Sequence, residues 1–398
     1  MNSFTIYNAT VVTPHEVIEN ASVKIEDGLI LSINREYILP YANDSRAINA
    51  NGAIVMPGII DIHTDALDAE IVPRPAADIP VPVAFRELER KMSGCGFTTV
   101  YHSLHLGYET AQTSSRSKYS RSHVFEKVHQ ASLGQTLLNN KIHLRFELSG
   151  ISAYEECLEL ISKGHISLLS VMDHTPGQGQ YSKGNFIKQT INQGKTEEEA
   201  LELYAQYMAR PKIEGEKLQA LINHAKAHGI PVASHDDDTV EKVDLMYNLG
   251  VRICEFPITM ETAAHATSLG MHVIGGASNI LRGGSLSGNV NMTEAVINDF
   301  VDTLCSDYYP PAILHSVFKL HQEQGMPLAA AVNLATLNPA KAAGIDQFTG
   351  SIEPGKEADL LIVNTIDGIP MVTHTIVKGN VVSQASVKLN SEKLQTIF

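Results

Sequence analysis

Residues 57–65 read Pro-Gly-Ile-Ile-Asp-Ile-His-Thr-Asp, an apolar strand that ends in His63 and Asp65. In an extended strand residues i and i+2 share a face, so this imidazole and carboxylate point the same way. Comparable ends recur along the chain. A strand at 98–106 carries His102 and His105, one at 143–148 carries Glu147, and one at 166–172 runs into Asp173 and His174. A strand at 231–234 runs into His235 and the acidic run Asp236, Asp237, Asp238; another at 252–256 carries Glu255, and one at 303–305 leads to Asp307. Imidazoles and carboxylates converging from several directions suit divalent zinc, manganese or iron. Two ions sharing a bridging carboxylate sit roughly 3.5–4 Å apart and activate one hydroxide between them. A further Asp can take the proton from the attacking water. At His63, Asp65, His235 and Asp307, position and residue type agree on a metal-site role. His102 and His105 read as groups behind the ligands or against substrate. Asp237 and Asp238 read as caps for the helix that begins near Thr239.

Such ends must be brought together by the elements that carry them. Residues 56 to 346 alternate short apolar strands with amphipathic helices, and eight strands over about that length fit an α/β fold of the (β/α)8, TIM-like type. In that barrel the carboxyl ends of all strands meet at one rim, where chemistry sits. The longest helical pattern spans 196–228, and a Gly-, Gln- and Lys-rich loop at 175–193 is long enough to cover a site. Residues 1–55 and 347–398 instead read as short strands and turns. The expected organisation is therefore a small β-sandwich domain built from both ends, 1–55 plus 347–398, with the barrel, 56–346, inserted between them.

The chain has 398 residues, 43% of them hydrophobic and 19% charged, as in ordinary globular proteins. A net charge of −14 argues against nucleic-acid and anionic-membrane partners, although cations and metal can reverse the field inside a cleft. No basic region followed by an apolar stretch opens the sequence, and no apolar run approaches the ~20 residues that span a bilayer. Cys95, Cys157, Cys254 and Cys305 stand singly among apolar neighbours, which fits buried reduced thiols and a cytoplasmic location.

The stretch Met56-Pro-Gly-Ile-Ile-Asp-Ile-His and the tail Gly350-Ser-Ile-Glu-Pro-Gly-Lys-Glu-Ala-Asp-Leu resemble the amidohydrolase superfamily, whose members pair a metal-dependent barrel with a β-sandwich from both chain ends. That superfamily usually has His-x-His on its first strand; here the motif is His63-Thr64-Asp65. An obvious lysine on strand four is lacking, and Glu147 is the substitute bridge that similarity suggests. His-Thr-Asp, Pro73-Arg74-Pro75, Thr98 to Leu104, His143-Leu-Arg145-Phe-Glu147, Met172-Asp-His174, Ser234-His235-Asp-Asp, Glu255-Phe-Pro, Asn279 to Asn289 and Ser306-Asp307-Tyr308 resemble the PhnM family of phosphonate catabolism.

The resemblance implies hydrolysis of α-D-ribose 1-methylphosphonate 5-triphosphate to the 5-phosphate and diphosphate, by hydroxide activated at the metal. His63, Asp65, Glu147, His174, His235 and Asp307 would then be the ligand set for one or two divalent ions, zinc first and manganese or iron as alternatives, with Asp307 also the proton acceptor. The substrate can bring its own magnesium. A triphosphate carries roughly four negative charges and calls for cations. Arg74, Arg145, Lys183 and Arg282 supply them, His102 is added as a substrate contact, and Gly283, Gly284, Ser285 and Asn289 could form a backbone cradle for an anion. A homo-oligomer, and contact with other proteins of the phosphonate pathway, are further implications. Two alternatives remain: a cyclic-amide hydrolase or purine-type deaminase on the same scaffold, and a catalytically silent scaffold protein.

Overall fold

The computed structural model describes residues 3–36, 47–107, 118–177, 183–284 and 290–387. Both halves of the chain outside the barrel share one sheet. Its strands run Asn380–Gln384, Ile369–Val377, Leu360–Ile366, Ile54–Pro57, Ser3–Val12, Val17–Glu26 and Leu29–Asn34, with Ile48–Asn49 also on Ser3–Val12. The join between the two ends is the antiparallel pairing of Ile54–Pro57 with Leu360–Ile366. An isolated bridge from Leu29 to Glu357 brings the far edge back, so the sheet curls around Ile6, Val23, Ile25, Val55, Leu360, Ile362 and Ile376.

Eight parallel strands follow in strict chain order among the described residues: Ile59–Thr64, Phe97–Leu106, Asn139–Glu147, Leu168–Met172, Val232–His235, Ile253–Glu255, His272–Gly276 and Thr303–Cys305. They are called the first to eighth barrel strands. Ile60, Ile62, Tyr101, Leu168, Ala233, Ile253, Ile274 and Cys305 cluster together. Ala233, Ile253 and Cys305 each lie one alternation below a polar residue, His235, Glu255 and Asp307. The barrel is thus apolar below and polar at its mouth. Closure between the first and eighth strands is irregular. Only Thr64 and Asp307 pair directly, and below them the backbone of 334–335 fills in, Ile60 N donating to Ala335 O and Leu304 N to Leu334 O, both within 3.0 Å.

Two sequence expectations change here. The helical pattern at 196–228 is two helices, Glu197–Met208 and Gly215–Ala227, because Pro211 lacks an N–H to continue the ladder. The region read as a loop at 175–193 contains the helix Lys183–Asn192, which packs on the next helix through Phe186, Tyr204 and Tyr207. No helix among the described residues is long and apolar enough to cross a membrane.

Sheet and barrel meet at Asp359, whose carboxylate accepts from Asn139 Nδ2, Thr349 Oγ1 and Lys378 N. Its carbonyl accepts from Gly58 N at 2.9 Å. Gly58 itself passes so close to the second strand that a Cβ would lie 2.1 Å from Thr98 Oγ1. Gly58→Ala should therefore cost about 1–3 kcal/mol of stability through overpacking. Urea unfolding measures it, and an unchanged midpoint would contradict the close approach.

Candidate metal centre

Glu255, fully buried at the end of the sixth barrel strand, is the centre of the polar mouth. His63 Nδ1 donates to its Oε1 at 3.0 Å, and His235 Nδ1 to its Oε2 at 3.4 Å. Ser170 Oγ donates to Oε2 as well, and Ser170 in turn contacts His143, whose other nitrogen faces Ser103 Oγ at 3.2 Å. Burial alone would push the Glu255 carboxyl up; the imidazoles of His143 and His63 and the bond from His235 hold it well below its usual range. Glu147 repeats the pattern on the third strand. Its Oε2 accepts from His174 Nδ1 at 2.7 Å and its Oε1 from His174 N at 3.0 Å. Three rings thus have Nδ1 committed to a carboxylate and Nε2 turned away from it, an arrangement that orients histidines for metal.

Among the described residues, three groups could each hold an ion: His63, Asp65 and Asp307; His174, His235 and Asp236; and His63, His235 and Glu255. In each, the ligand atoms lie within 4.8 Å of one another. The donor types suit a divalent ion. Asp307 is fixed by its backbone, its carbonyl accepting from Asp65 N at 2.7 Å and its N–H donating to His63 O at 3.1 Å. Burial pushes its carboxyl above the ordinary range, against the pull of His63. Burial likewise holds His235 well below the usual imidazole range, while for His63 the Glu255 charge overcomes burial and raises it. Asp236, Phe256 and Asp307 all adopt positive φ, at 51, 53 and 58°. Three non-glycine residues in that region at three strand ends are strain that tertiary contacts must hold in place. Phe256 is held edge-on to His63 and His235, with ring centroids 4.9 and 5.4 Å apart.

The structure gathers His63, Asp65, His174, His235 and Asp307 at one mouth as their spacing suggested. Glu147 is beside them, both of its oxygens turned to His174. Arg145 is also there, donating to Asp65 and to His235 Nε2. Arg74 lies exposed after the first strand, and Lys183 opens an exposed helix with its ammonium 5.2 Å from the Tyr204 ring. Three expectations are corrected. His102 faces out of the barrel, against Phe85, with Nε2 on Asn140 Oδ1 at 2.9 Å; His105, one alternation from Ser103, is the residue near Arg145 and His174. Gly283 and Gly284 close the helix Ala277–Arg282, and their N–H groups donate to Ile280 O and Asn279 O, which occupies them as a cap rather than a cradle. Arg282 is exposed in that last turn, and Ser285 and Asn289 lie outside the described residues. Thr239, not Asp237 or Asp238, caps the helix Val240–Leu249. Asp237 instead pairs with Lys242 at 3.2 Å.

Sequence reasoning missed the part played by Glu255 and by His143, which shares a face with Arg145 and Glu147 by simple alternation. It also missed Arg121, which is paired bidentately with Asp68 at 2.9 and 2.7 Å and lies close enough to Asp65 and Arg145 to feel their charge.

A sequence profile described as "Amidohydrolase family" matches residues 138–382. Alpha-D-ribose 1-methylphosphonate 5-triphosphate diphosphatase of Escherichia coli (strain K12) is 33% identical over 94% of this chain and 98% of its own length. Imidazolonepropionase of Thermoplasma volcanium is 23% identical, over 88% of this chain and 86% of its own. Among solved structures, dihydropyrimidinase from Brevibacillus agri NCHU1002 superposes with a TM-score of 0.64 at 14% identity, covering 96% of this chain and 95% of that one, a likeness of fold.

The outward placement of His102 has a consequence for acid stability. Burial lowers its pKa to about 4. Above pH ~6.5 the ring is neutral folded or unfolded and has no effect on the pH dependence. Below that, the unfolded chain takes up a proton that the folded chain refuses until about pH 4. Stability should fall across that window by roughly 3 kcal/mol on account of this group. His102→Gln should flatten the pH dependence of the urea midpoint between pH 6.5 and 4 relative to wild type; equal slopes would contradict the assignment.

Proposed function

The chain belongs to the amidohydrolase family, and from that premise we propose that it is a metal-dependent diphosphatase of phosphonate catabolism, cleaving α-D-ribose 1-methylphosphonate 5-triphosphate to the 5-phosphate and diphosphate. The observation that carries this reading is the near full-length similarity to the E. coli diphosphatase. The barrel mouth supports it, since it unites a candidate ligand set with a buried cation, Arg145, suited to an anionic substrate.

His63, Asp65, His174, His235 and Asp307 are the candidate ligands, in alternative groups, with Glu147 and Glu255 fixing the rings from behind. A divalent ion bound there supplies an acidified water and offsets charge developing at phosphorus. Asp307, its carboxyl raised by burial, accepts the proton that the attacking water gives up. Arg145, fixed on Asp65 and His235 within the barrel, supplies a counter-charge beside the reacting centre. Arg74, Lys183 and Arg282, on segments that follow the first, fourth and seventh barrel strands, meet the outer phosphates. Diphosphate leaves as the stable product of cleavage between the α- and β-phosphates. Hydrolysis of a cyclic amide is the second reading, and its support is the imidazolonepropionase relative.

Incubation of metal-loaded protein with 5′-triphosphorylated ribose compounds should release diphosphate. Orthophosphate alone, or turnover of cyclic ureides without phosphate release, would overturn the reading. Asp307→Asn should lower kcat by about 10²–10⁴-fold at saturating metal. Full activity in that variant would remove Asp307 as proton acceptor.

A further inference from the structure

We propose that the Arg145 guanidinium stands where a second metal ion would otherwise sit, so that the centre takes a single divalent ion per chain, at His63, Asp65 and Asp307. The inference rests on the metal-dependent reading above. Arg145 is only 5% exposed. Its Nη1 donates to both oxygens of Asp65, at 2.9 and 3.2 Å, and its Nη2 donates to His235 Nε2 at 3.2 Å. Asp65 belongs to one candidate ligand group and His235 to the next, the one with His174 and Asp236. The guanidinium therefore lies between the two.

Charge argues against two ions on either side of it. Adjacent dications need an anion between them, and an arginine is a cation that proteins do not deprotonate. A unit charge ~4 Å from an arriving divalent ion, at the effective dielectric suited to such sites, weakens its binding on the order of a millionfold unless carboxylates offset it, and of the three groups only that of His63, Asp65 and Asp307 has two to do so.

Hydrogen bonding then selects the group that survives. A ligating imidazole must offer a free lone pair. His235 gives its Nδ1–H to Glu255 and uses the Nε2 lone pair to accept from Arg145, so both ring nitrogens are committed. Asp65 differs, because a carboxylate has about four acceptor sites and can take Arg145 on some while facing an ion with the others. His63 commits only Nδ1 to Glu255 and keeps Nε2. Asp307 completes that group. Arg145 is on this account a positioning residue and a fixed counter-charge to Asp65. His235 serves as its acceptor, linking it back to Glu255.

The test counts ions. Protein is loaded with excess manganese and desalted, metal per chain is measured by plasma mass spectrometry, and the same samples are examined by electron paramagnetic resonance. Wild type should carry one ion with an uncoupled spectrum. Arg145→Gln should carry two, with exchange coupling between them, while Arg145→Lys, which keeps the charge, should still carry one. Two ions in wild type, or one in a folded Arg145→Gln, overturns the proposal. If Arg145→Gln does not fold, the wild-type count and spectrum decide alone. No ion in wild type overturns the metal-dependent reading itself, whereas one ion without diphosphate release leaves this inference standing and removes the substrate.

Discussion

A single buried carboxylate, that of Glu255, is the constraint on which the mouth of this barrel depends. A bare charge at that depth would be costly, and it is tolerated because every oxygen has donors. The donors come from elements far apart in the chain: His63 from the first barrel strand, His235 from the fifth and Ser170 from the fourth. Each is delivered by strand register, as in the pairing of His235 with Glu255 on neighbouring strands. The same contacts that satisfy Glu255 fix which nitrogen of each ring is turned away from it. Satisfying the buried charge and orienting the proposed ligands are one event.

From that point the charges close into a loop. Glu255 holds His235, His235 accepts from Arg145, Arg145 donates to Asp65, and Asp65 lies with His63, which returns to Glu255. Closure of the barrel depends on the same residues. The first and eighth strands pair directly only where Thr64 meets Asp307, so the backbone that completes the barrel also sets the carboxylate proposed to take a proton. A chain of net charge −14 can thereby present cations, Arg145 and Arg121, beside its acidic cluster.

Much of this was legible in the sequence. Alternating strands and helices fixed the barrel, and the motif at His63 and Asp65, with His174, His235 and Asp307, marked its mouth. What escaped had physical causes. Residues 97–104 are all buried, so polarity gives no phase to the alternation, and His102 and His105 look equivalent until one faces Phe85. Gly283-Gly284 reads alike as a helix cap or an anion cradle, and only the partners of the two amides distinguish them. Asp237 and Thr239 are both good caps, and the competition is settled by Lys242, which draws the aspartate away. The role of Glu255 was hidden because its partner His63 lies 192 residues away, a separation over which no local pattern speaks.

The claim that Glu255 organises the centre is tested most directly by titrating zinc into metal-free Glu255→Gln and wild-type protein by calorimetry. Loss of such a partner behind ligating histidines typically weakens metal affinity about 10–100-fold. That loss, with an unchanged circular-dichroism spectrum, is the result this account predicts. Equal affinity in a folded variant would contradict it.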